Sequence, residues 1–319
     1  MHKPVLTMRK FFYLLFLPLV FAACSSDGDD AGDSTAGVEA NVNKNNATAN
    51  RLYARLEFPH LNEQGTSLVV THLVPTYGLN YAVEWDYVKH AQRWTCYQMY
   101  ASNSVTNTKR FYDDSGQPFS QYPNDKSLST RYHFTTDPYW GSGYDHGHMC
   151  PSADRLCSEE ANKQTFFLTN MHPQVNTFNA GLWEHMEARV RQWNNSNFRD
   201  TLYVVKGGTI DRDDQLGAEN GRGKYNTYLG SGVNRIPVPK YFFMAVLCKR
   251  KDGRNQGYKA MAFWAEHKSN ASSTLRNYAI SVDQLEQLTG IDFFCNLPDQ
   301  IEEAAESVSK DAILVDWNL

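Results

Sequence analysis

Apolar residues along this chain fall into three regimes. They run together from Phe11 to Phe21, nearly disappear from Ser25 to Asn50, and return from Arg51 onward as short runs and periodic stripes. In the third regime Thr165–Thr169, Thr201–Val205, Tyr241–Cys248 and Tyr258–Trp264 are aromatic and β-branched runs of strand length. A charged, glycine-containing stretch from Lys249 to Gly257 separates the last two, which predicts an antiparallel hairpin. Leu182, Met186, Val190 and Trp193 repeat with helical spacing, which predicts an amphipathic helix from Asn179 to Trp193. Ser281 and Gln284 form a capping box, Val282, Leu285 and Leu288 line one side, and Gly290 closes a second helix. Strands and helices mix without strict βαβ alternation. The expected class is α+β, a central, largely antiparallel sheet flanked by helices.

The first two regimes read as export and spacing. Lys3, Arg9 and Lys10 precede the 11-residue apolar run, which is too short to span a bilayer as a helix. Ala22-Ala23-Cys24 follows and resembles the lipobox of bacterial lipoproteins, although Phe21 stands where Leu or Val is usual. The expectation is a signal peptide over residues 1–23, lipidation at Cys24, a flexible acidic tether to residue 50 and one folded domain over 51–319. That implies an exported outer-membrane lipoprotein, periplasmic or at the cell surface, held to the membrane by its lipid. A plain signal peptide with an incidental cysteine is the alternative.

Charge and cysteines change the picture little. A formal net charge of −4 is acidic for a chain that grips nucleic acid, but a bound metal ion can supply local positive charge. Beyond Cys24, the cysteines are Cys96, Cys150, Cys157, Cys248 and Cys295, an odd number. Cys150 and Cys157 could bridge or stay buried thiols, and no pairing follows from spacing. No Cys-x-x-Cys supports a zinc ribbon or a thioredoxin-like site.

The densest chemistry lies in three blocks: Asp145-His146-Gly147-His148; Asn170-Met171-His172-Pro173-Gln174; and Asn179-Ala180-Gly181-Leu182-Trp183, running on to Glu187. In this order and spacing they resemble the sugar-non-specific DNA/RNA endonuclease family, which includes mitochondrial endonuclease G. Arg131 and Asp137-Pro138 resemble its lead-in, and the likeness runs from about residue 55 to about 298. The resemblance implies a ββα-metal, or His-Me finger, site that hydrolyses phosphodiester bonds in DNA and RNA with Mg²⁺, Mn²⁺ being a substitute. It implies His148 as general base and Asn179 as direct metal ligand. Glu187, eight residues and about 12 Å further along a helix, would then reach the metal through water. Asn170 would steady the site, Arg131 would contact phosphate, and His146 and Arg155 would bind substrate. A homodimer is left open.

The chemistry of the side chains agrees. Imidazole, with an ordinary pKa of about 6.5, can take a proton from water near neutrality. An amide oxygen is a hard ligand suited to Mg²⁺. Gly147 would let the chain turn tightly beside His148 and let phosphate approach. A site that grips metal, phosphate and sugar reads no bases. One departure stands out: His146 replaces the family's arginine, exchanging a permanent bidentate cation for a titratable ring.

Other readings remain. His146 and His148 could ligate zinc with His133, His172 or His185, in a zinc-dependent hydrolase. Asn179 could only cap its helix, and Glu187 could be an exposed helix charge. Arg155, Lys206, Arg212, Arg222 and Lys224 could line a DNA cleft or be ordinary solvated surface. The chain could also be a surface binding lipoprotein with a decayed nuclease fold.

Overall fold

Three of the four strand-length runs become strands, and the one from Tyr241 to Cys248 is buried on both sides. A computed structural model describes residues 40–62, 65–250, 257–269 and 271–319. In chain order the strands are β1 (Ser67–Val74), β2 (Gly78–Asp86), β3 (Ala91–Tyr100), β4 (Asp145–His148), β5 (Met171–Gln174) and β6 (Thr201–Gly208). Four two-residue strands follow, β7 (Ala218–Glu219), β8 (Tyr225–Asn226), β9 (Tyr228–Leu229) and β10 (Ile236–Pro237). Then come β11 (Tyr241–Lys249), β12 (Tyr258–Glu266) and β13 (Ala279–Ile280). The helices are α1 (Glu159–Gln164), α2 (Glu184–Trp193), α3 (Val282–Thr289), α4 (Asp299–Glu306) and α5 (Lys310–Asp316).

A seven-stranded sheet runs in the order β1-β2-β3-β6-β11-β12-β13, each neighbour antiparallel to the next. The predicted hairpin is β11 with β12, in register from Tyr241 opposite Glu266 to Lys249 opposite Tyr258. β11 is central and continuously apolar because both its faces are covered. Phe242, Met244 and Val246 enter one core with Phe178, Leu182, Trp183, Met186 and Val190. Phe243, Ala245 and Leu247 enter the other with Val282, Leu285, Ile301 and Ala305. Each fully buried large side chain contributes about 1.5–3 kcal/mol. The sheet therefore carries two distinct layers, one leading to β4, β5 and α2, the other formed by α3 and α4.

Two expected elements differ. Thr165–Thr169 is not a strand: α1 ends there, and the chain turns through Leu168–Asn170. Most of its backbone bonds are local (Phe166 N to Lys163 O, Phe167 N to Gln164 O, Asn170 N to Phe167 O), with Leu168 N reaching Pro123 O, and burial of Phe166 and Leu168 replaces a strand ladder. The helix expected from Asn179 is kinked at Gly181 (φ −117°, ψ −105°), and α2 proper starts at Glu184. The apolar stripe nonetheless holds, with Leu182, Met186, Val190 and Trp193 all buried. The second helix matches its signals: Ser281 Oγ accepts from Gln284 N and Gly290 adopts φ 70°.

The signal segment, Cys24 and most of the expected tether lie outside the described residues. The end of that stretch does not hang free. Asn41 Nδ2 donates to Leu297 O, Asn43 Nδ2 to Asp292 and Glu302, and buried Asn45 Nδ2 to Pro59 O. Asparagine amides seat this polar segment by hydrogen bonding where it has no apolar area to bury. Among the described residues, no helix is long and apolar enough to cross a membrane.

Candidate active site

β4 and β5 pair antiparallel, with Asp145 opposite Gln174 and His148 opposite Met171, and α2 follows. This is the ββα arrangement the motifs imply. Gly147 is required by packing: a Cβ there would overlap the buried Gln174 side chain. Its role is close approach within the β4–β5 pair, whereas the sequence suggested a tight turn.

The two β strands and the turn before α2 open onto a cleft of about 650 Å³. His148, Asn179 and Glu187 all line it, as do His146 and Asp145. His148 is half-buried, edge-on to Phe166 at 5.0 Å, and its backbone carbonyl accepts the Trp183 indole N–H at 3.2 Å. Its Nε2 is itself buried and has no hydrogen-bond partner. Burial pushes its pKa down to about 3, and the positive charge of Arg110 adds to this. The imidazole is therefore neutral, with a free acceptor nitrogen, throughout the physiological range.

Asn170 holds the chain that leaves His148. It is fully buried; its Oδ1 accepts from Cys150 N (2.8 Å), and its Nδ2 donates to Cys150 O (2.9 Å) and Thr165 O (2.8 Å). It acts on the backbone, as a positioning residue. Asn179 is not a helix cap. It sits inside the turn before α2, and its Nδ2 donates to Asp145 Oδ2 at 3.0 Å, where Asn176 also donates at 2.9 Å. Asp145 thus fixes the amide and leaves Asn179 Oδ1 as its free acceptor. A hard cation needs such an oxygen.

Glu187 is buried rather than an exposed helix charge. It accepts from Lys206 Nζ at 3.1 Å, and Arg191 stands 3.9 Å from its other oxygen. Burial raises its pKa, and Lys206 and Arg191 oppose that. Arg191 also reaches Asp154 and Glu184, each at 3.3 Å. Lys206 is fully buried between Tyr97 and Trp183, so it is the counter-charge of Glu187 and not cleft surface.

Other expected residues are placed differently. Arg155 is 1% exposed, and its guanidinium donates to the carbonyls of Asn80, Asp154 and Gln98 over the Tyr97 ring. Its donors are spent on backbone, so it braces the fold and reaches no substrate. Arg131 is exposed, lies over Tyr132 and is not among the residues lining the cleft. His146 does line it, but stacks between Tyr122 (3.7 Å) and Tyr139 (4.4 Å) with Nε2 on Asp137 at 2.9 Å. The cleft's accessible cations are instead Arg110 and Arg191. Arg191 was legible as the i+4 partner of Glu187; Arg110, in an irregular stretch, carried no periodic signal.

The zinc set does not assemble. His133 is bonded to the Asp125 and Leu128 carbonyls, His172 is buried against Phe242, and His185 lines a different groove. Among the described residues, no group of three ligating side chains includes His146 or His148. All five cysteines from Cys96 to Cys295 are free and buried, so no disulfide braces the loop; burial pushes the Cys150 thiol up to about 12.

With this geometry in place, comparisons with known proteins agree. Residues 67–300 match the DNA/RNA non-specific endonuclease family. The chain is 28% identical over 220 residues to the mitochondrial nuclease EXOG of Xenopus laevis, covering 69% of this chain and 58% of that protein. It is 27% identical to mitochondrial nuclease 1 of Schizosaccharomyces pombe (68% and 66% covered) and 30% identical to a nuclease of Nostoc sp. (71% and 75% covered). The first two matches thus span less than two thirds of those relatives. A solved EndoG/EndoGI complex contains a chain of similar fold, with TM-score 0.54 and 22% identity, covering 68% of this chain and 84% of that one. The ββα site and the match over most of the folded part place this chain in the DNA/RNA non-specific endonuclease family.

Proposed function

We propose that the chain is a metal-dependent nuclease that hydrolyses phosphodiester bonds of DNA and RNA without reading sequence. The observation that carries this is the pairing, in one cleft, of an unpartnered neutral His148 Nε2 with an Asn179 amide oriented by Asp145. The residues fit Mg²⁺, with Mn²⁺ as a substitute: Asn179 Oδ1 is a hard oxygen, and carboxylates of Glu184 and Glu187 line the same cleft. When bound, the ion would neutralise phosphate charge and favour departure of the 3′-oxygen.

The chain's own residues do the rest. His148 Nε2 accepts a proton from the attacking water. Burial keeps the ring uncharged before that step. Asn170 fixes the backbone after His148, so the ring is held and not searched for. Arg110 and Arg191 bring positive charge to the cleft walls, where the substrate's phosphates would lie. Lys206 and Arg191 hold Glu187 in place beside Asn179's turn. Contacts of this kind reach phosphate and sugar and leave base edges unread. His146, tied to Asp137 between two tyrosines, orients the wall of the cleft more than it grips phosphate.

Incubating the purified chain with plasmid DNA and with RNA, with and without EDTA, tests the reading. Cleavage of both that EDTA abolishes and Mg²⁺ restores is expected. No cleavage under any metal would favour a binding protein that keeps the fold. We also propose export and lipidation at Cys24, on the charge, apolar run and small residues that precede it. Cys24→Ser protein should leave the membrane fraction, and unchanged partitioning would refute the anchor.

A further inference from the structure

The face of the sheet opposite the cleft carries a second concentration of ionisable groups. Asp283 and Glu286, one turn apart on α3, meet Glu306 at the end of α4. One carboxylate oxygen from each lies within 4.8 Å of the other two. Asp283 and Glu286 are half-buried, whereas Glu306 is 3% exposed. The Oε1 of Glu306 is buried with no hydrogen-bond partner at all. A dry, unpaired carboxylate oxygen is among the costlier things a fold can contain.

The surroundings do not relieve it. Among the described residues, the charges that act most on Glu306 are those of Glu286, Glu302, Asp283 and Asp292, all negative. Asn43 Nδ2 donates to Asp292 (3.1 Å) and Glu302 (3.0 Å), and Phe293 N donates to Glu286 (2.7 Å). None of these donors is a cation, and none reaches Glu306 Oε1. Without a cation, burial drives Glu306 up to about 11 and Glu286 up to about 8, so protons would have to stand in.

A hard divalent cation satisfies all three groups together. Ca²⁺ takes six to eight oxygens at about 2.3–2.6 Å, so its ligand oxygens lie within roughly 5 Å of one another. Three carboxylates meet that limit here. The half-buried pair leaves a side open for waters to complete the shell. Mg²⁺ demands near-ideal octahedral geometry at about 2.0–2.1 Å, which three carboxylates placed by helix docking suit less well. We propose that Asp283, Glu286 and Glu306 form a structural Ca²⁺ site that ties α3 to α4, separate from the catalytic cleft.

The test is calorimetric titration of Ca²⁺ into the full chain stripped with EDTA, with parallel melting curves. Wild type, Glu306→Gln, Asp283→Asn and Asn179→Ala are compared. Wild type should bind Ca²⁺, and saturating ion should raise Tm by about 5 °C or more. Asn179→Ala should keep that binding and that shift. Glu306→Gln should lose both, while its Ca²⁺-free Tm equals or exceeds wild type, because a neutral amide replaces a stranded acid. Asp283→Asn should weaken binding about tenfold, since affinity follows ligand charge. Three results would overturn the site: no Ca²⁺-dependent shift in wild type, unchanged binding in Glu306→Gln, or loss of binding in Asn179→Ala alone. Should Glu306→Gln fail to fold, unchanged affinity in Asp283→Asn is enough to reject it.

Discussion

Two clusters of carboxylates, one on each side of the sheet, are treated in opposite ways. Around the cleft the acids have basic partners: buried Glu187 has Lys206, buried Asp154 has Arg191, and half-buried Asp137 has His146. On the far side Glu306 is buried among Asp283, Glu286, Asp292 and Glu302, and among the described residues no cation pairs with it. The lesson concerns what a buried charge is for. A paired acid organises its neighbours and holds a fixed geometry; an unpaired cluster waits for a proton or an ion to complete it. The cleft face is thereby preorganised before substrate arrives, and among the residues that line the cleft the unpartnered buried nitrogen is that of His148, the proposed base.

Removing a partner should expose this contrast most strongly. Lys206→Met takes away the closer of the two cations on buried Glu187 and leaves only Arg191 at 3.9 Å, and the expected cost is about 3–5 kcal/mol of folding stability by denaturant titration. Glu306→Gln without Ca²⁺ should move stability the other way or leave it unchanged. Equal losses from both would show that the two faces do not differ as described.

Next in size is the proposed metal ligand. Asn179→Ala should lose activity at limiting Mg²⁺, with a defect that shrinks as Mg²⁺ rises. If the defect is absent at limiting ion, Asn179 Oδ1 holds no metal. The fold should be untouched, because the side chain is bonded only to Asp145.

The pH profile sharpens the same point. His148 is depressed from 6.5 to about 3, so the base stays deprotonated as pH falls through the usual histidine range. The acid limb of kcat/KM should therefore lie below about pH 5, with no inflection near 6.5. Stability carries the matching sign. A group depressed on folding supports the fold above 6.5 and loses that support as pH falls toward its folded value. His172, also lowered to about 3, and His267, to about 4, act in the same direction. An inflection at 6.5 would mean that substrate or ion restores the ordinary titration of His148.

The smallest effect belongs to the departure from the family motif. His146→Arg should keep or modestly raise cleavage, because an arginine can replace the ring against Asp137 and add a permanent charge to the cleft. Abolished cleavage in a folded variant would give His146 an essential role of its own.

How much of this was legible follows from sequence distance. His148, Asn170 and Asn179 were readable because short motifs with fixed spacing carry them. The stripe from Leu182 to Trp193 was readable because burial repeats with the helix. Arg155 misled because an arginine reads as surface or phosphate contact, and nothing local says that Asn80 and Gln98 will take its donors. Lys206 was unreadable as a core partner of Glu187 for the same reason. Thr165–Thr169 has strand composition, but its turn is set by bonds back to α1 and by Leu168 N to Pro123 O. Arg110 and Tyr122 enter the cleft from irregular chain, and Glu306 meets Asp283 and Glu286 only through the docking of α3 against α4.

The central claim is that His148 takes the proton in the reaction. The direct measurement is the initial cleavage rate of His148→Ala on plasmid DNA across a Mg²⁺ series, with and without added imidazole. The account predicts a loss of about 10²–10⁴ that extra Mg²⁺ does not repair and imidazole partly does. Near-wild-type rates in His148→Ala would contradict it, since no other residue of the cleft offers an unpartnered neutral base in that place.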